Sequence, residues 1–238
     1  MKLISLLAAL VITVALTSSA IASSIWSGYY VTSGTPYKSV GMTWKVPKVA
    51  WGQTTYNPYG YEYHWIWIGI GGVGDNTLVQ IGTESIVSKA GTQTNYVLYQ
   101  LYPNTSHSVP YAAGIGDTIN SSITCVANCI PGQTQTWKLM IADQTRGWTW
   151  SQNFNYASSM GAAEWILESP SYGSILPLNN YGKATFSNLT TNGANPNLTT
   201  SNSVVMQTPY GQTSNPSAPI NGNAFSTCYG YGSLTPCQ

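Results

Sequence analysis

Residues 163–168 read Ala-Glu-Trp-Ile-Leu-Glu, and this stretch is the clearest guide to the fold. Side chains of a β-strand alternate between its two faces, so the alanine, tryptophan and leucine share one face and the two glutamates share the other. The apolar face suits the space between two packed sheets. We therefore expect Glu164 and Glu168 on the outer face of the sheet, open to water or to a cleft, because a buried carboxylate without partners costs free energy.

Similar short strands are predicted along the rest of the chain, where runs rich in Val, Ile, Thr, Tyr and Trp alternate with Gly, Pro and Asn. We find no long helical periodicity and expect at most a short helix at 156–160. Residues 187–219 are rich in Asn, Thr, Ser and Pro, which indicates long surface loops around one short strand. These features predict one all-β domain over residues 23–238, a β-sandwich or jelly roll of antiparallel sheets. The predicted strands are 28–32, 39–46, 62–70, 77–84, 94–101, 118–125, 135–142, 147–152, 162–168, 182–187, 203–207 and 223–229.

The N-terminus has the pattern of a secretory signal peptide. Lys2 precedes an apolar run over residues 3–16, and residues 20–22 form a small-x-small cleavage site. Cleavage there removes residues 1–22 and leaves a mature chain that starts at Ser23. The apolar run is short for a membrane span, although an uncleaved anchor is the alternative. We therefore expect a secreted, extracellular protein with no membrane attachment after cleavage.

The mature chain carries very little charge. Only 6% of the residues are charged, and removal of Lys2 from the eight basic residues leaves seven against seven acidic ones. This balance builds no basic groove, so we expect no nucleic-acid partner; we also expect a monomer. Few Lys and Arg limit self-repulsion at low pH, which is compatible with an acid-stable protein. An ordinary exported protein rich in Ser, Thr and Asn is equally compatible with this composition.

The four cysteines fit an oxidising compartment. Cys125 lies close to Cys129, and Cys228 lies close to Cys237 near the C-terminus. Two local disulfides are the simplest of the three pairings that four cysteines allow. We expect no metal site, because these spacings differ from those of paired zinc ligands and both histidines lie far away in sequence.

Gln80 is a polar interruption in the apolar run 78–82, and taken alone it is more often a glutamine with satisfied hydrogen bonds in a core. It belongs, however, to a series of motifs along most of the chain. In order, these are Trp26-x-Gly28-Tyr29, Trp44-x-Val46-Pro47, Trp67-Ile68-Gly69-Ile70-x-Gly72, Leu78-Val79-Gln80-x-Gly82, Tyr102-Pro103, Gly116-Asp117-x-Ile119, Ala163-Glu164-Trp165-Ile166-x-Glu168-x-Pro170 and Leu176-Pro177-Leu178. Taken together, their order and spacing resemble those of the glutamic peptidases (eqolisins).

The resemblance implies a bent, concanavalin-like sandwich that cleaves peptide bonds in proteins at acid pH without a metal or other cofactor. It places Gln80 and Glu164 at the positions of a catalytic dyad. The residue types suit that chemistry, because a carboxylate can accept a proton from water at a pH where histidine is cationic. The Gln80 amide would donate a hydrogen bond to the tetrahedral oxyanion.

This chain departs from the family at three cleft positions. Gly71 replaces an aspartate, Leu98 replaces a tryptophan and Gln100 replaces a glutamate. Loss of two acids reduces like-charge repulsion. We therefore expect the pKa of Glu164 to be lower than it would be with those two acids present. We also expect no propeptide, because the first strand motif begins within a few residues of the predicted cleavage site. The residues expected to bind substrate are Trp67, Leu98, Gln100, Tyr102 and Glu168.

Two other functions fit the pattern of acids and aromatic residues, namely a glycoside hydrolase and a carbohydrate-binding jelly-roll protein. Retaining glycosidases need two carboxyl groups about 5.5 Å apart. Glu164 and Glu168 on one strand would lie about 13 Å apart, which is too far. A pairing of Glu164 with Glu84 on another strand remains open. Gln80 distinguishes the classes, since only the peptidase requires its amide.

Overall fold

The computed structural model describes residues 21–52, 57–234 and 236–238, and it confirms the all-β fold. Most of the predicted signal peptide, residues 1–20, lies outside the described residues. In these described ranges, one short 3-10 helix, Thr200–Asn202, accompanies fifteen strands. The strands are β1 (Ile21–Ser23), β2 (Trp26–Thr32), β3 (Ser39–Lys45), β4 (Tyr61–Gly71), β5 (Leu78–Ser88), β6 (Gln93–Tyr102), β7 (His107–Ser108), β8 (Thr118–Ala127), β9 (Gln135–Asp143), β10 (Trp148–Tyr156), β11 (Ala162–Glu168), β12 (Lys183–Thr191), β13 (Ser203–Gln207), β14 (Gln212–Pro216) and β15 (Phe225–Tyr231).

Hydrogen bonding connects the strands in the order β10-β9-β8-β3-β12-β15-β14-β13-β2-β11-β4-β5-β6-β7, and β1 pairs with β13. All pairs are antiparallel except β1 with β13. The path folds back on itself, so that β4, β5 and β11 pack over β3, β8 and β9. Apolar side chains from both layers fill the space between them, as in a β-sandwich.

Indole groups connect the two layers by hydrogen bonds as well as by packing. Trp165 on β11 donates from Nε1 to the carbonyl oxygen of Gly41 on β3 over 3.0 Å. Trp44 on β3 donates to Thr83 Oγ1 on β5 over 2.9 Å. Both indoles are buried, so these bonds satisfy polar groups that would otherwise cost free energy in the core.

The stretch at 163–168 forms β11, between β2 and β4. Trp165 points into the sandwich, as predicted, and Glu164 points to the opposite face. That face is covered rather than open, because Glu164 is fully buried. Glu168, on the same face, lines a cleft, whereas Glu164 lines neither of its cavities.

Each of the twelve predicted strands overlaps an observed strand, but two other predictions were wrong. No helix forms at 156–160, because β10 continues to Tyr156 and the next four residues have no regular structure. The region 187–219 holds more sheet than expected, since β12 extends to Thr191 and β14 was missed. The residues of β14 are polar, but Gln212, Thr213 and Ser214 are buried between β13 and β15. Neighbouring strands bury this segment, so its own composition gave no signal.

Both local disulfides are confirmed. Cys125 bonds to Cys129 with an S–S distance of 2.05 Å, and Cys228 bonds to Cys237 with 2.07 Å. Within the described part of the chain, no group of three or more metal-binding side chains comes together. The same residues include no helix long and apolar enough to cross a membrane.

Candidate active site

The central row of the cleft joins four strands and contains both residues of the predicted dyad. Glu164 on β11 pairs with Gly69 on β4, Gly69 pairs with Gln80 on β5, and Gln80 pairs with Gln100 on β6. Residues paired in this way point to the same side of a sheet. Glu164 and Gln80 therefore lie on the same face of the sheet, separated by two strand spacings, or about 9.6 Å between Cα atoms.

Glycine at position 69 leaves room for three side chains that crowd this point of the row. A Cβ atom there would lie 2.6 Å from Glu164 Oε2 and 2.7 Å from both Leu78 Cδ1 and Trp67 Cζ3. Gly72 covers the other side of the carboxyl group, since its Cβ would lie 3.2 Å from Glu164 Oε1. The Glu164 carboxyl group therefore lies between two glycines, with the side chains of Leu78 and Trp67 packed close to Gly69.

Glu164 is fully buried, and neither carboxyl oxygen has a hydrogen-bond partner among the described residues. Burial raises its pKa well above the ordinary value of 4.5, and the nearby carboxyl groups of Asp75 and Glu168 raise it further. The lowering expected from the two missing family acids is relative to a site that has them, and it stays a prediction. Sequence reasoning did not take account of burial or of Asp75, and both raise the pKa above that of an ordinary glutamate.

The Gln80 side chain is almost fully buried and is oriented by Gln100. Gln80 Nε2 donates to Gln100 Oε1 over 2.6 Å, and Gln100 Nε2 donates in turn to the Asn104 carbonyl oxygen over 2.7 Å. Gln80 Oε1 has no partner within the described part of the chain. One N–H of the Gln80 amide is thus used to fix its position, and the other is available to a ligand.

A second row, which contains two acids, lies four residues further along the same strands. Trp65 on β4 pairs with Glu168 on one side and with Glu84 on the other. Burial raises the pKa of Glu84 to about 7. Burial also raises the pKa of Glu168 to about 7, although Trp67 Nε1 donates a hydrogen bond to its carboxyl group over 2.7 Å. Both side chains are consequently neutral in acid.

The cleft contains two cavities, of about 460 and 390 Å³. Both are lined by Gln100, Tyr102, Glu168 and Ser171, so they form adjoining parts of one groove. Gln80, Asp75 and Gly72 line only the first cavity, whereas Glu84, Trp65 and Leu98 line only the second. A groove of this form suits an extended chain more than a compact small molecule.

Most residues predicted to bind substrate lie on this groove. Leu98, Gln100, Tyr102 and Glu168 line it, and the Tyr102 ring is 43% exposed. Trp67 differs from the prediction, since it is fully buried and lines neither cavity. Its hydrogen bond to Glu168 makes it a support for that carboxyl group.

Sequence reasoning missed Asp75, which lies in the turn between β4 and β5. The family aspartate cannot occupy position 71 of this turn, because Gly71 has φ +105° and a Cβ there would lie 2.1 Å from the Thr77 carbonyl oxygen. Asp75 supplies a carboxyl group to the cleft from four residues further along. The local signal was the spacing of Asp75 and Thr77, since aspartate often accepts a hydrogen bond from the backbone two residues on.

The acid pairing left open for a glycosidase does not form. Glu84 lies in the row of Glu168, two strands and four residues away from Glu164. Their Cα atoms are therefore separated by about 16 Å, on strand spacings of about 4.8 Å and a rise of about 3.3 Å per residue. Glu164 instead faces an amide.

The resemblance to the glutamic peptidases implied an antiparallel sandwich with a glutamate and a glutamine close together. Here Gln80 lines the groove, and the buried Glu164 lies two strands away in the same row of the sheet. The match to a family model confirms that class, since the model of the Peptidase A4 family matches residues 24–229. The chain belongs to the Peptidase A4 family, and it is a glutamic endopeptidase, a hydrolase of peptide bonds. No curated protein sequence matches the chain.

Two solved structures are similar to the chain over most of its length. A crystal structure of scytalido-glutamic peptidase with a transition state analog inhibitor superposes with a TM-score of 0.63 and 19% identity, covering 87% of this chain and 98% of that chain. The same peptidase with a peptide based transition state analog gives a TM-score of 0.62 and 21% identity, with the same coverage. At these identities the likeness concerns the fold, and it agrees with the sandwich architecture.

Proposed function

We propose that the chain is an acid endopeptidase in which Glu164 is the general base and Gln80 stabilises the oxyanion. The observation that carries this proposal is the buried Glu164 carboxyl group without a hydrogen-bond partner, which faces Gln80 across Gly69. Buried polar groups without partners are rare in folded proteins, and perturbed carboxyl groups in clefts are typical of catalytic sites. The proposal explains why the fold retains such a costly group.

In the first step, a water molecule between Glu164 and the substrate attacks the peptide carbonyl carbon. Its oxygen forms the new C–O bond while one of its protons passes to the Glu164 carboxylate. The C=O electron pair moves to the carbonyl oxygen. The free N–H of the Gln80 amide donates to this oxyanion, and loss of one such donor typically costs about 3 kcal/mol of transition-state stabilisation.

In the second step, the protonated Glu164 gives its proton to the nitrogen of the leaving amine. The C–N bond then breaks, its electron pair stays on nitrogen, and the carbonyl forms again as a carboxylic acid. Glu164 returns to its starting ionised form. The reaction requires no covalent intermediate and no cofactor.

The raised pKa of Glu164 sets a condition on this mechanism. In the free protein the carboxyl group is neutral over much of the acid range, whereas the base must be ionised. A water molecule and a peptide N–H donating to the carboxylate favour its charged form. Activity should therefore rise with pH on the acid limb of the profile, through an apparent pKa above that of an ordinary glutamate.

The groove explains cleavage within a chain rather than at its end. Leu98, Gln100, Tyr102 and Glu168 line the groove and are proposed to contact the peptide on both sides of the dyad. Tyr102 is exposed enough to contact a substrate directly. Trp67 is proposed to position Glu168 through its hydrogen bond, without contacting the peptide itself.

We further propose a secreted, monomeric enzyme. The signal pattern over residues 1–22 and the two disulfides support secretion. Ile21–Ser23 form β1 next to β13, so the predicted cleavage after Ala22 would remove part of a strand at the edge of the fold. Sequencing the N-terminus of secreted protein tests the cleavage site.

Digestion of a denatured protein at acid pH tests the catalytic roles, with wild type, Glu164→Gln and Gln80→Ala compared. The wild type should cleave, Glu164→Gln should lose essentially all activity, and Gln80→Ala should lose about a hundredfold or more in kcat. Gln152→Ala, at an exposed position of β10, is the matched control and should keep full activity. Full activity in Glu164→Gln would contradict the proposal.

A further inference from the structure

The turn between β4 and β5 places Asp75 in the wall of the groove. Asp75 lines the 460 Å³ cavity together with Gly72 and Gln80, on the opposite side of the dyad from Glu84. It is only partly buried, so a ligand in the cavity can reach its carboxyl group. No step of the proposed mechanism uses this side chain as a base or an acid.

Hydrogen bonds hold this carboxyl group in place. Asp75 Oδ1 accepts from the backbone N–H and from Oγ1 of Thr77, over 2.7 and 2.6 Å. Ser159 Oγ donates to Asp75 Oδ2 over 2.7 Å. Partial burial raises the pKa of Asp75, but these hydrogen bonds outweigh it and hold the pKa below its ordinary value. The side chain is thus a fixed anion at acid pH.

The other titratable groups around the cavity differ from Asp75 in acid. Glu164 and Glu168 face Asp75 from β11, Glu84 lies beyond them on β5, and Tyr156 approaches from β10. All four have raised pKa values and are neutral at acid pH. No lysine, arginine or histidine is found among the described residues that line either cavity. The groove therefore carries one negative charge in acid, near one end.

We propose that Asp75 forms a subsite that selects a cationic side chain of the substrate, lysine or arginine, on its side of the dyad. The subsite deepens the proposed peptidase function and rests on it. A cationic ligand gains a charge-assisted hydrogen bond to a carboxylate that is already oriented, so little ordering cost remains to be met on binding. An apolar side chain of the same length gains no such bond and leaves the carboxylate without a cationic partner.

Paired peptides test the subsite. Each pair has lysine or the uncharged norleucine at one position, moved in turn through the four positions on either side of the cleaved bond. At pH 5 the wild type should prefer lysine at one position by about tenfold in kcat/KM, which is the usual range of a charge-assisted hydrogen bond. Asp75→Asn keeps an oxygen for Thr77 and should reduce this ratio to near one. Glu84→Gln replaces a neutral acid by a neutral amide and should leave the ratio unchanged.

Two further measurements separate this subsite from the chemistry. Binding of the same peptides to Glu164→Gln should show the same preference in Kd, and 1 M salt should weaken it because ion pairs at exposed sites are screened. An equal Kd for both peptides at every position, or an unchanged ratio in folded Asp75→Asn, overturns the subsite. Discrimination in Kd without cleavage by wild type would retain the subsite and contradict the peptidase mechanism instead.

Discussion

Glu84 and Glu168, the two acids on either side of Trp65, should lower the free energy of unfolding as the pH rises. Replacement of Glu84 by glutamine should remove part of that decrease. Glu84 is largely buried, and no hydrogen bond to its carboxyl group contributes to its pKa of about 7. Glutamine has nearly the same shape and remains neutral at every pH. The substitution therefore removes a titration while it changes the packing very little.

The size of the effect follows from proton linkage. The pKa of Glu84 rises from 4.5 in an ordinary environment to about 7 in the folded protein. Between these values the folded state holds a proton that the unfolded state has released, so the free energy of unfolding falls as pH rises. At about 1.4 kcal/mol for each pH unit, the loss is about 3 kcal/mol by pH 8. Glu168 contributes a loss in the same direction, because its folded pKa is also raised to about 7.

His64 has the opposite effect on how the free energy of unfolding depends on pH. It is fully buried, and burial lowers its pKa from 6.5 to about 4 despite a hydrogen bond with Asn179. Below pH 6.5 the unfolded state takes up a proton that the folded state does not, so this group costs up to about 3 kcal/mol as pH falls to 4. Because three glutamates titrate against this one histidine, the free energy of unfolding should still decrease from pH 4.5 to pH 7.

Denaturant unfolding of wild type and Glu84→Gln at pH 4.5 and pH 8 measures the difference. We expect similar stabilities at pH 4.5 and a variant more stable by about 3 kcal/mol at pH 8, or about 6–12 °C in Tm for a chain of this size. Lys89→Gln changes one exposed charge and serves as the control for net charge. The same pH dependence in wild type and Glu84→Gln would refute the reasoning.

Two further predictions concern activity. Gly69→Ala should lower kcat/KM by about a hundredfold or more and cost about 1–3 kcal/mol of stability through overpacking, because its Cβ would collide with the Glu164 carboxyl group. Gly34→Ala, with open space around its Cβ, should change neither kcat/KM nor stability. Equal activity of Gly69→Ala and Gly34→Ala would contradict the requirement for glycine at position 69. For a norleucine peptide, kcat/KM should rise through an apparent pKa above 4.5, and Asp75→Asn should move this pKa down because it removes a negative charge next to Glu164. If Asp75→Asn leaves the acid limb of the kcat/KM–pH profile unchanged, a group other than Glu164 controls that limb.

Much of the fold could be predicted because strand periodicity is a local property of the sequence. The alternation at 163–168 indicated both the strand and the side of it that packs in the core, where Trp165 indeed lies. The errors occurred where contacts with neighbouring segments, and not the local sequence, determine the backbone conformation. The polar residues of β14 form a strand because β13 and β15 supply hydrogen bonds on both sides, and residues 157–160 follow β10 rather than starting a helix.

The candidate site could be predicted only in part. Motif order identified Glu164, Gln80 and four groove residues, but it placed Trp67 on the surface of the cleft instead of beneath it. Asp75 could not be found from motifs, because the family acid belongs to a different position of the turn. The rise of the Glu164 pKa above the ordinary value could not be predicted, since burial depends on residues that cover it from other strands.

The sequence by itself determined the strand pattern, the low charge, the two local disulfides and the membership of a peptidase family. Each of these depends on residues close together in the chain or on motifs kept in order. Only the tertiary structure decided that Glu164 and Gln80 lie in one row on either side of Gly69, that the Glu164 carboxyl oxygens and Gln80 Oε1 have no partner among the described residues, and that Asp75 lines the groove. The physical reason is that register between strands and burial by distant segments arise from packing, and packing fixes both the distance between charges and the cost of ionising them.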